Sequence, residues 1–483
     1  MRCPLSSTAE KHSSLPAIIS SKREISYRLL ENLVHLTAVN LNKYKIQKGS
    51  RVAILGSNSP EYCILILAIL RIGAVVCPIN NRLPEKGILK ALKGLECDAL
   101  VLIDSPKKII QVVGPKLLLA EEVVPIKTDG SAFLGEPEVT LSSPAAIMFT
   151  SGTGAVPKAA LLSYGNFYYN AIGANEKIPF NKANRWLLSL PLYHVGGWGI
   201  LFRAIIGGGG IVIPDKNESI LENIKKYNVS HLSLVPTQLY RLLKESVAKI
   251  QGTAPVVLVG GAPISRNLIQ KCRKANLNLY RTYGLTEMGS QVTTGQSKNA
   301  LYSGKLLPHR ELKIASDGEI LVKGETLFLG YLGKGGVNHP VDSDGWFHTG
   351  DIGEVDSKGF LSVRGRKDNM LISGGENIHP EEIESHLMQV SGIELAVVVG
   401  IEDEEFGQRP AAFVKYSESV CIPEKEIIEE LEKSLPRFKI PKIYWEWPEH
   451  LAEGALKLPR AEFQKLAAKK RARSPKRTPA VSS

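Results

Sequence analysis

Through the first two thirds of the chain, short apolar runs alternate with amphipathic stretches. Arg51–Asn58 ("RVAILGSN") predicts a strand and a turn, and "PEYCILILAILRIG" predicts a helix opened by Pro60. "AVVCPIN" then predicts the next strand. Ala99–Asp104, Ala145–Phe149, Gly210–Pro214, His231–Pro236 and Pro255–Gly261 read as further buried strands. Alternation of this kind predicts a doubly wound α/β domain with parallel strands. The texture changes at Glu311. From there to Met370, short alternating strands are separated by D-G and K-G turns, which predicts a β-rich subdomain. Beyond Asn369 a compact α+β unit follows: the acidic helix "PEEIESHLMQV", the strands "AVVVGIED" and "RPAAFVKY", and the helix "EKEIIEELEKSL". The fold class is therefore α/β, with a large N-terminal domain of doubly wound sheets and a small, mobile C-terminal domain. The expected boundaries are 1–367 for the large domain, 368–465 for the small one and 466–483 for a tail. "GRKDN" lies between the two domains and is the hinge candidate.

Composition refines this picture. A chain of 483 residues is too long for one ordinary core, and 43% hydrophobic with 22% charged residues is typical of a globular protein. Tyr62–Ile79 is the most apolar stretch, but Arg71 and Gly73 interrupt it, so it reads as helix, turn and strand rather than a membrane span. The first residues, "MRCPLSSTAEKHSS", lack the apolar core of a signal peptide. Six scattered cysteines form no C-x-x-C pair, which speaks against a zinc site or a disulfide framework and for a reducing, cytoplasmic setting. Half of the net charge of +12 comes from Lys469, Lys470, Arg471, Arg473, Lys476 and Arg477. With no aromatics interleaved, that run predicts a disordered, solvated tail and no specific nucleic-acid partner. Homo-oligomerisation is left open by the sequence.

The chemistry begins at "FTSGTGAVPKAALLSYGNF" (Phe149–Phe167). Thr150, Ser151 and Thr153 offer hydroxyls, Gly152 and Gly154 free backbone N–H groups, and Lys158 a positive charge. Such a loop can wrap a phosphate chain. It is not a Walker A loop, because Pro157 precedes the lysine and Ala159 follows it. Other groups accompany it. "YGLTEMG" holds Glu287, a carboxylate suited to Mg²⁺. "WFHTGDIG" places Asp351 between glycines, suited to ribose hydroxyls. Arg366 lies in "GRKDN" and Lys457 in "EGALKLPR".

The order and spacing of these five blocks resemble the adenylate-forming superfamily of acyl- and aryl-CoA ligases, adenylation domains and luciferases, from about residue 20 to 465. The resemblance implies ATP, Mg²⁺ and CoA as reactants, with a small-molecule carboxylate as the partner. It implies that Thr150, Ser151, Thr153 and Lys158 form the phosphate loop. Gly260, Gly261 and Ala262 would line the adenine pocket, with Tyr283 stacked on the base. Thr286 would contact the α-phosphate and Glu287 the metal; Asp351 and Arg366 would hold the ribose. Asp368 would be the hinge, Lys457 the lysine bridging carboxylate and phosphate, and His194 an aromatic wall of the acyl pocket. Gly374 and Gly375, in "SGGENIHP", would border the CoA channel; the alternative reading of these glycines is a tight turn. The loop departs from the family pattern at Gly154, Ala155 and Ala159, which removes one hydroxyl and adds two alanines.

In the family's chemistry, a carboxylate becomes reactive toward a thiol once ATP converts it to an acyl-adenylate. A mobile lid then exchanges the Lys457 segment for the Ser373–Pro380 face. Three stretches, "RWLLSLPLYHVGGWGILFRAIIGGGG", "HLSLVPTQLYRLL" and "GKLLPHRELKI", are most similar to the o-succinylbenzoate–CoA ligases of menaquinone biosynthesis. Their substrate has a second carboxylate, for which Arg203 and Gln238 are the candidate donors. The alternatives are another aryl- or medium-chain acyl-CoA ligase, or an enzyme that loads a carrier protein.

Overall fold

The structure is a computed structural model that describes residues 1–104, 115–125, 138–150, 158–245, 255–262, 264–296, 301–333, 335–417, 422–448, 451 and 459–473. Two mixed sheets build the large domain. In the 13-stranded sheet, Pro16–Ile19, Gly210–Val212, Arg185–Leu187, His231–Leu234, Val256–Val259 and Asn278–Leu285 run parallel in that spatial order. The sheet then continues without a break into antiparallel strands: Ser290–Gly295, Tyr302–Leu306, Phe360–Arg366, Phe347–Val355, Glu319–Lys323 and Glu311–Ile314. The expected β-rich subdomain is thus the antiparallel wing of the same sheet. In the 8-stranded sheet, Lys116–Leu119, Ala99–Leu102, Arg51–Leu55, Val75–Ile79 and Pro144–Phe149 are parallel. Ala159–Ser163 turns back antiparallel on Pro144–Phe149 and carries Gly330–Gly333 on its other side.

The apolar stretch at Tyr62 folds as expected. The helix Pro60–Ile72 starts at Ser59, whose side chain accepts from the Tyr62 N–H, and ends at Gly73, whose φ of +79° is cheap only for glycine. Cys63 to Ala68 are buried all round because the helix packs inside the domain rather than on its surface. Among the described residues no helix is long and apolar enough to cross a membrane.

The large sheet's strand Phe360–Arg366 ends where a short 3₁₀ turn, Lys367–Asn369, leads to the first strand of the small domain, Leu371–Ser373. There a 5-stranded sheet is dominated by the long pair Ile393–Asp403 and Gly407–Tyr416. The helices Pro380–Leu387 and Glu424–Glu432 cover one face. A helix over Arg460–Arg473 covers the other and corrects the tail reading for residues 466–473. Phe463 and Ala467 are fully buried against Val397, Val399, Phe413 and Trp447, with Leu466 beside them. The i, i+3, i+4 spacing of these three residues drives the helix, and the lysines ride on its outer side. The positive charge concealed that apolar edge from a compositional reading. Residues 474–483 lie outside the described residues.

This topology gathers the candidate residues. In open α/β sheets, ligands bind beyond the carboxyl ends of the strands. Thr150 follows Pro144–Phe149, Gly260–Ala262 follow Val256–Val259, and Thr286 and Glu287 follow Asn278–Leu285. His194 and Gln238 follow Arg185–Leu187 and His231–Leu234 on the same side.

Candidate active site

The expected phosphate loop joins two strands that pair antiparallel, Pro144–Phe149 and Ala159–Ser163. Phe149 pairs with Ala159, and the Thr150 N–H donates to the Lys158 carbonyl at 2.9 Å, so these two residues are its feet. Ala159 lies in the strand and is absent from the residues with positive φ, so alanine fits there without strain. Ser151, Thr153 and Ala155 lie outside the described residues, as does Lys457.

Lys158 leads to the metal candidate through a residue the sequence reading missed. Its ammonium sits 4.9 Å from the centroid of the Tyr331 ring, and the Tyr331 hydroxyl donates to Glu287 Oε1 at 2.5 Å. The strand register fixes this contact, since Tyr331 pairs with Ala160, two residues beyond Lys158. Burial, and then the Glu287 charge, raise the Tyr331 pKa, so it stays a donor. Glu287 also accepts the Phe328 N–H at its backbone oxygen. The only signal in the sequence was a tyrosine between glycines in "LGYLG", 44 residues from Glu287. Nothing local connects the two.

Four residues before Glu287, Tyr283 donates its hydroxyl to Asp351 Oδ2 at 2.6 Å. Arg366 binds the other oxygen of Asp351 at 3.1 Å, the Thr349 carbonyl at 2.9 Å and Asp368 Oδ2 at 3.1 Å. A Cβ at Gly350 would come within 3.1 Å of the Arg366 guanidinium, so the glycine, at φ +73°, lets the arginine lie flat against the backbone. Gly260 abuts Thr282, the neighbour of Tyr283: a Cβ there would meet the Thr282 methyl at 2.6 Å. Gly261, at φ +87°, completes the turn into the exposed Ala262. A continuous path of contacts and chain therefore runs from Thr150 and Lys158 through Tyr331, Glu287, Tyr283, Asp351 and Arg366 to Asp368. Its groups suit, in order, a phosphate chain, a metal ion, a base and a ribose.

Other expected residues lie elsewhere or have a different occupation. His194 is half-buried at the N-cap of the helix Val195–Gly207, with its ring 4.7 Å from that of Tyr193. Trp198 and Phe202, which follow on the same helix, are buried packing residues; the Trp198 indole N–H donates to the Leu192 carbonyl. Arg203, offered as a donor to a substrate carboxylate, is 2% exposed. Its guanidinium binds Asn175 Oδ1 at 3.1 Å and Gln291 Oε1 at 3.0 Å, and lies 4.1 Å from the Trp186 ring. Burial and the charge of Arg310 pull its pKa down to about 9. Its polar edge is thus occupied, and a substrate would reach it only by displacing Gln291 or Asn175. Gln238 is spent on the Val235 N–H and the Ser189 carbonyl, which tie two strand ends together. Gly374 and Gly375, at φ +56° and +85°, form the two-residue turn of the hairpin Leu371–Ser373/Glu376–Ile378, where positive φ calls for glycine and a Cβ at Gly374 would also fall 2.8 Å from the Phe406 ring.

Among the described residues no cluster of three or more His, Cys, Asp or Glu side chains gathers to hold a metal. A single carboxylate at Glu287 fits an Mg²⁺ ion that arrives on ATP and draws its other ligands from phosphate oxygens and water.

With the geometry in hand, the chain can be set beside known proteins. Residues 5–332 match the family model described as AMP-binding enzyme, and residues 382–451 match that of the AMP-binding enzyme C-terminal domain. The 2-succinylbenzoate–CoA ligase of Listeria monocytogenes serotype 4b (strain F2365) is 33% identical over 432 residues, covering 88% of this chain and 91% of that protein. The o-succinylbenzoate CoA synthetase (MenE) of Bacillus subtilis, in complex with the acyl-adenylate intermediate OSB-AMP, superimposes with a TM-score of 0.82 at 28% identity. That match covers 96% of this chain and 98% of the other. The same enzyme in complex with ATP and magnesium ion gives 0.79 at 28% identity, covering 92% and 96%.

Proposed function

The chain belongs to the family of AMP-binding enzymes, and on that premise we propose that it joins 2-succinylbenzoate to CoA through an acyl-adenylate, as a cytoplasmic enzyme. The single observation that carries the choice of acid is the 33% identity with a 2-succinylbenzoate–CoA ligase, which spans both domains rather than the nucleotide site alone.

In the first half-reaction a carboxylate oxygen of the acid attacks the α-phosphorus of ATP, and pyrophosphate leaves. Asp351 takes the ribose hydroxyls, with Arg366 holding that carboxylate in place. Gly260–Ala262 and Tyr283 border the base. Thr150, Ser151, Thr153 and Lys158 embrace the β- and γ-phosphates. Thr286 and Lys457 face the charge that builds on the α-phosphate, and fixed positive groups aimed there lower the barrier. Mg²⁺ bound at Glu287 would neutralise phosphate charge. In the second half-reaction the CoA thiolate attacks the acyl carbon, forming the thioester and expelling AMP. The lid turns about Asp368 to present the Gly374–Gly375 turn to the incoming pantetheine arm. His194 borders the acyl group. Arg203 supports the pocket from beneath through Gln291, and Gln238 shapes its rim through Val235 and Ser189.

The test is CoA-dependent AMP formation with 2-succinylbenzoate, benzoate and hexanoate, in the wild type and in Lys457→Ala. Activity confined to 2-succinylbenzoate, with adenylate synthesis lowered by about two to four powers of ten in the variant, is the expected result. Equal turnover of the three acids would overturn the choice of substrate. Unchanged adenylate synthesis in Lys457→Ala would overturn the mechanism.

A further inference from the structure

The sheet ladder breaks where Asp351 stands. Between the strands Glu319–Lys323 and Phe347–Val355, Glu319 pairs with Ile352 and Leu321 pairs with His348. Thr349, Gly350 and Asp351 therefore stand opposite Ile320 alone, as a bulge. Bulges re-aim a side chain, and they also take backbone groups out of the ladder that must be satisfied in some other way.

The atoms that satisfy this bulge are few. The Gly350 N–H donates to Glu319 Oε1 at 2.8 Å. The Thr349 hydroxyl donates to the Ile320 carbonyl at 2.7 Å and accepts the Asp351 N–H at 3.0 Å. Glu319 thus supplies the acceptor that the neighbouring strand does not.

Its other oxygen works on the second ribose candidate. Oε2 accepts from Lys367 Nζ at 2.7 Å and lies 3.2 Å from His348 Nδ1. Lys367 follows Arg366 directly, and Gly350 precedes Asp351 directly. One carboxylate therefore holds the chain on both sides of the Asp351–Arg366 pair, from the face away from Tyr283. The Glu319 side chain is only 6% exposed, whereas that of Lys367 is 41% exposed. Burial raises the Glu319 pKa, and Lys367, the Gly350 N–H and His348 outweigh it and leave the value lowered, so the anchor is charged.

We propose that Glu319 is a positioning residue for the nucleotide: it holds the bulge that aims Asp351 and, through Lys367, the chain that carries Arg366, so that this pair meets the ribose hydroxyls. The proposal rests on the ribose reading of Asp351 and Arg366 above.

The test measures binding by calorimetry on the full chain, with AMP and with 2′,3′-dideoxy-AMP, which lacks both ribose hydroxyls. The wild type should prefer AMP by about tenfold or more, the size of hydrogen bonds to a charged group. Glu319→Gln keeps the volume and removes the charge. It should weaken AMP about fivefold and leave dideoxy-AMP within about twofold, so the preference shrinks. A structural role alone would weaken both ligands equally. Lys367→Met changes a half-exposed side chain and removes only the second hold. It should shift the preference in the same direction, and it decides the matter alone if the buried variant does not fold. Wild-type preference in the folded variants, or equal weakening of both ligands, would overturn the proposal. Equal binding of the two ligands by the wild type would instead overturn the ribose reading of Asp351, and the proposal with it.

Discussion

The Tyr331 hydroxyl holds the Glu287 carboxylate while the face of its ring carries the Lys158 ammonium. A single tyrosine thus spaces the candidate metal carboxylate from the cation at the foot of the expected phosphate loop. Tyr331→Phe keeps the ring and removes only the hydrogen bond. A hydrogen bond to a charged group contributes about 1.5–3 kcal/mol, so the rate of adenylate formation should fall about tenfold or more. Tyr331→Ala should fall further, because Lys158 also loses its platform. Pyrophosphate-release kinetics across a magnesium titration would show whether the loss lies in Glu287; a drop of equal size at every magnesium concentration would point elsewhere.

Asp351 is the acceptor shared by Tyr283 and Arg366. Asp351→Asn removes the charge while keeping the shape, leaving Arg366 with Asp368 as its carboxylate partner. The expected result is AMP affinity weaker by about 1–3 kcal/mol, read by calorimetry. Thermal stability should change little, since Arg366 is partly exposed. A large loss of stability with unchanged AMP affinity would make Asp351 a folding residue.

Arg203→Ala is expected to act on stability first. It empties a buried site and strands the amides of Asn175 and Gln291. The loss should be on the order of 3 kcal/mol, visible in the urea midpoint. Selective loss of activity toward the acid in a variant of wild-type stability would instead put Arg203 in direct reach of substrate.

His231 gives the fold an acid limit. It is buried between the rings of Trp186 and Phe180, at 4.9 and 5.1 Å, with Ser230 Oγ 2.9 Å from Nδ1. Burial, and then the charge of Arg203, lower its pKa from 6.5 to about 4. Between those two values the unfolded chain binds more protons than the folded one, so stability falls as the solution is acidified. The contribution is complete above pH 6.5 and lost as the pH drops toward 4. It is on the order of 3 kcal/mol. Urea midpoints at pH 7 and pH 4.5 should differ more in the wild type than in His231→Phe; equal differences would remove His231 as the cause.

Local patterns made the scaffold legible. Apolar runs bounded by Gly and Pro marked each parallel strand at Arg51, Val75, Ala99, His231 and Val256, because strands buried on both faces are apolar throughout. Candidate site residues stood out where several belong to one short block, as in "YGLTEMG". Tyr331 did not, because its role comes from pairing with Ala160 across a sheet. The protein partners of Arg203 and Gln238 were illegible for a related reason: a polar side chain beside an acyl pocket looks alike in sequence whether it faces the ligand or its neighbours. The helix ending at Arg473 was hidden by charge, since only three of its positions needed to be apolar.

The bond between the Thr150 N–H and the Lys158 carbonyl gives the candidate phosphate loop a mounting distinct from its lining. Threonine and lysine are bolted to a sheet, and the stretch between them is an insert clamped at both ends. Its composition can drift at constant length, as Ala155 and Gly154 do here, without shifting Tyr331 or Glu287. Adding or deleting a residue would tax the clamp itself, so length rather than composition is what this segment has least freedom to change.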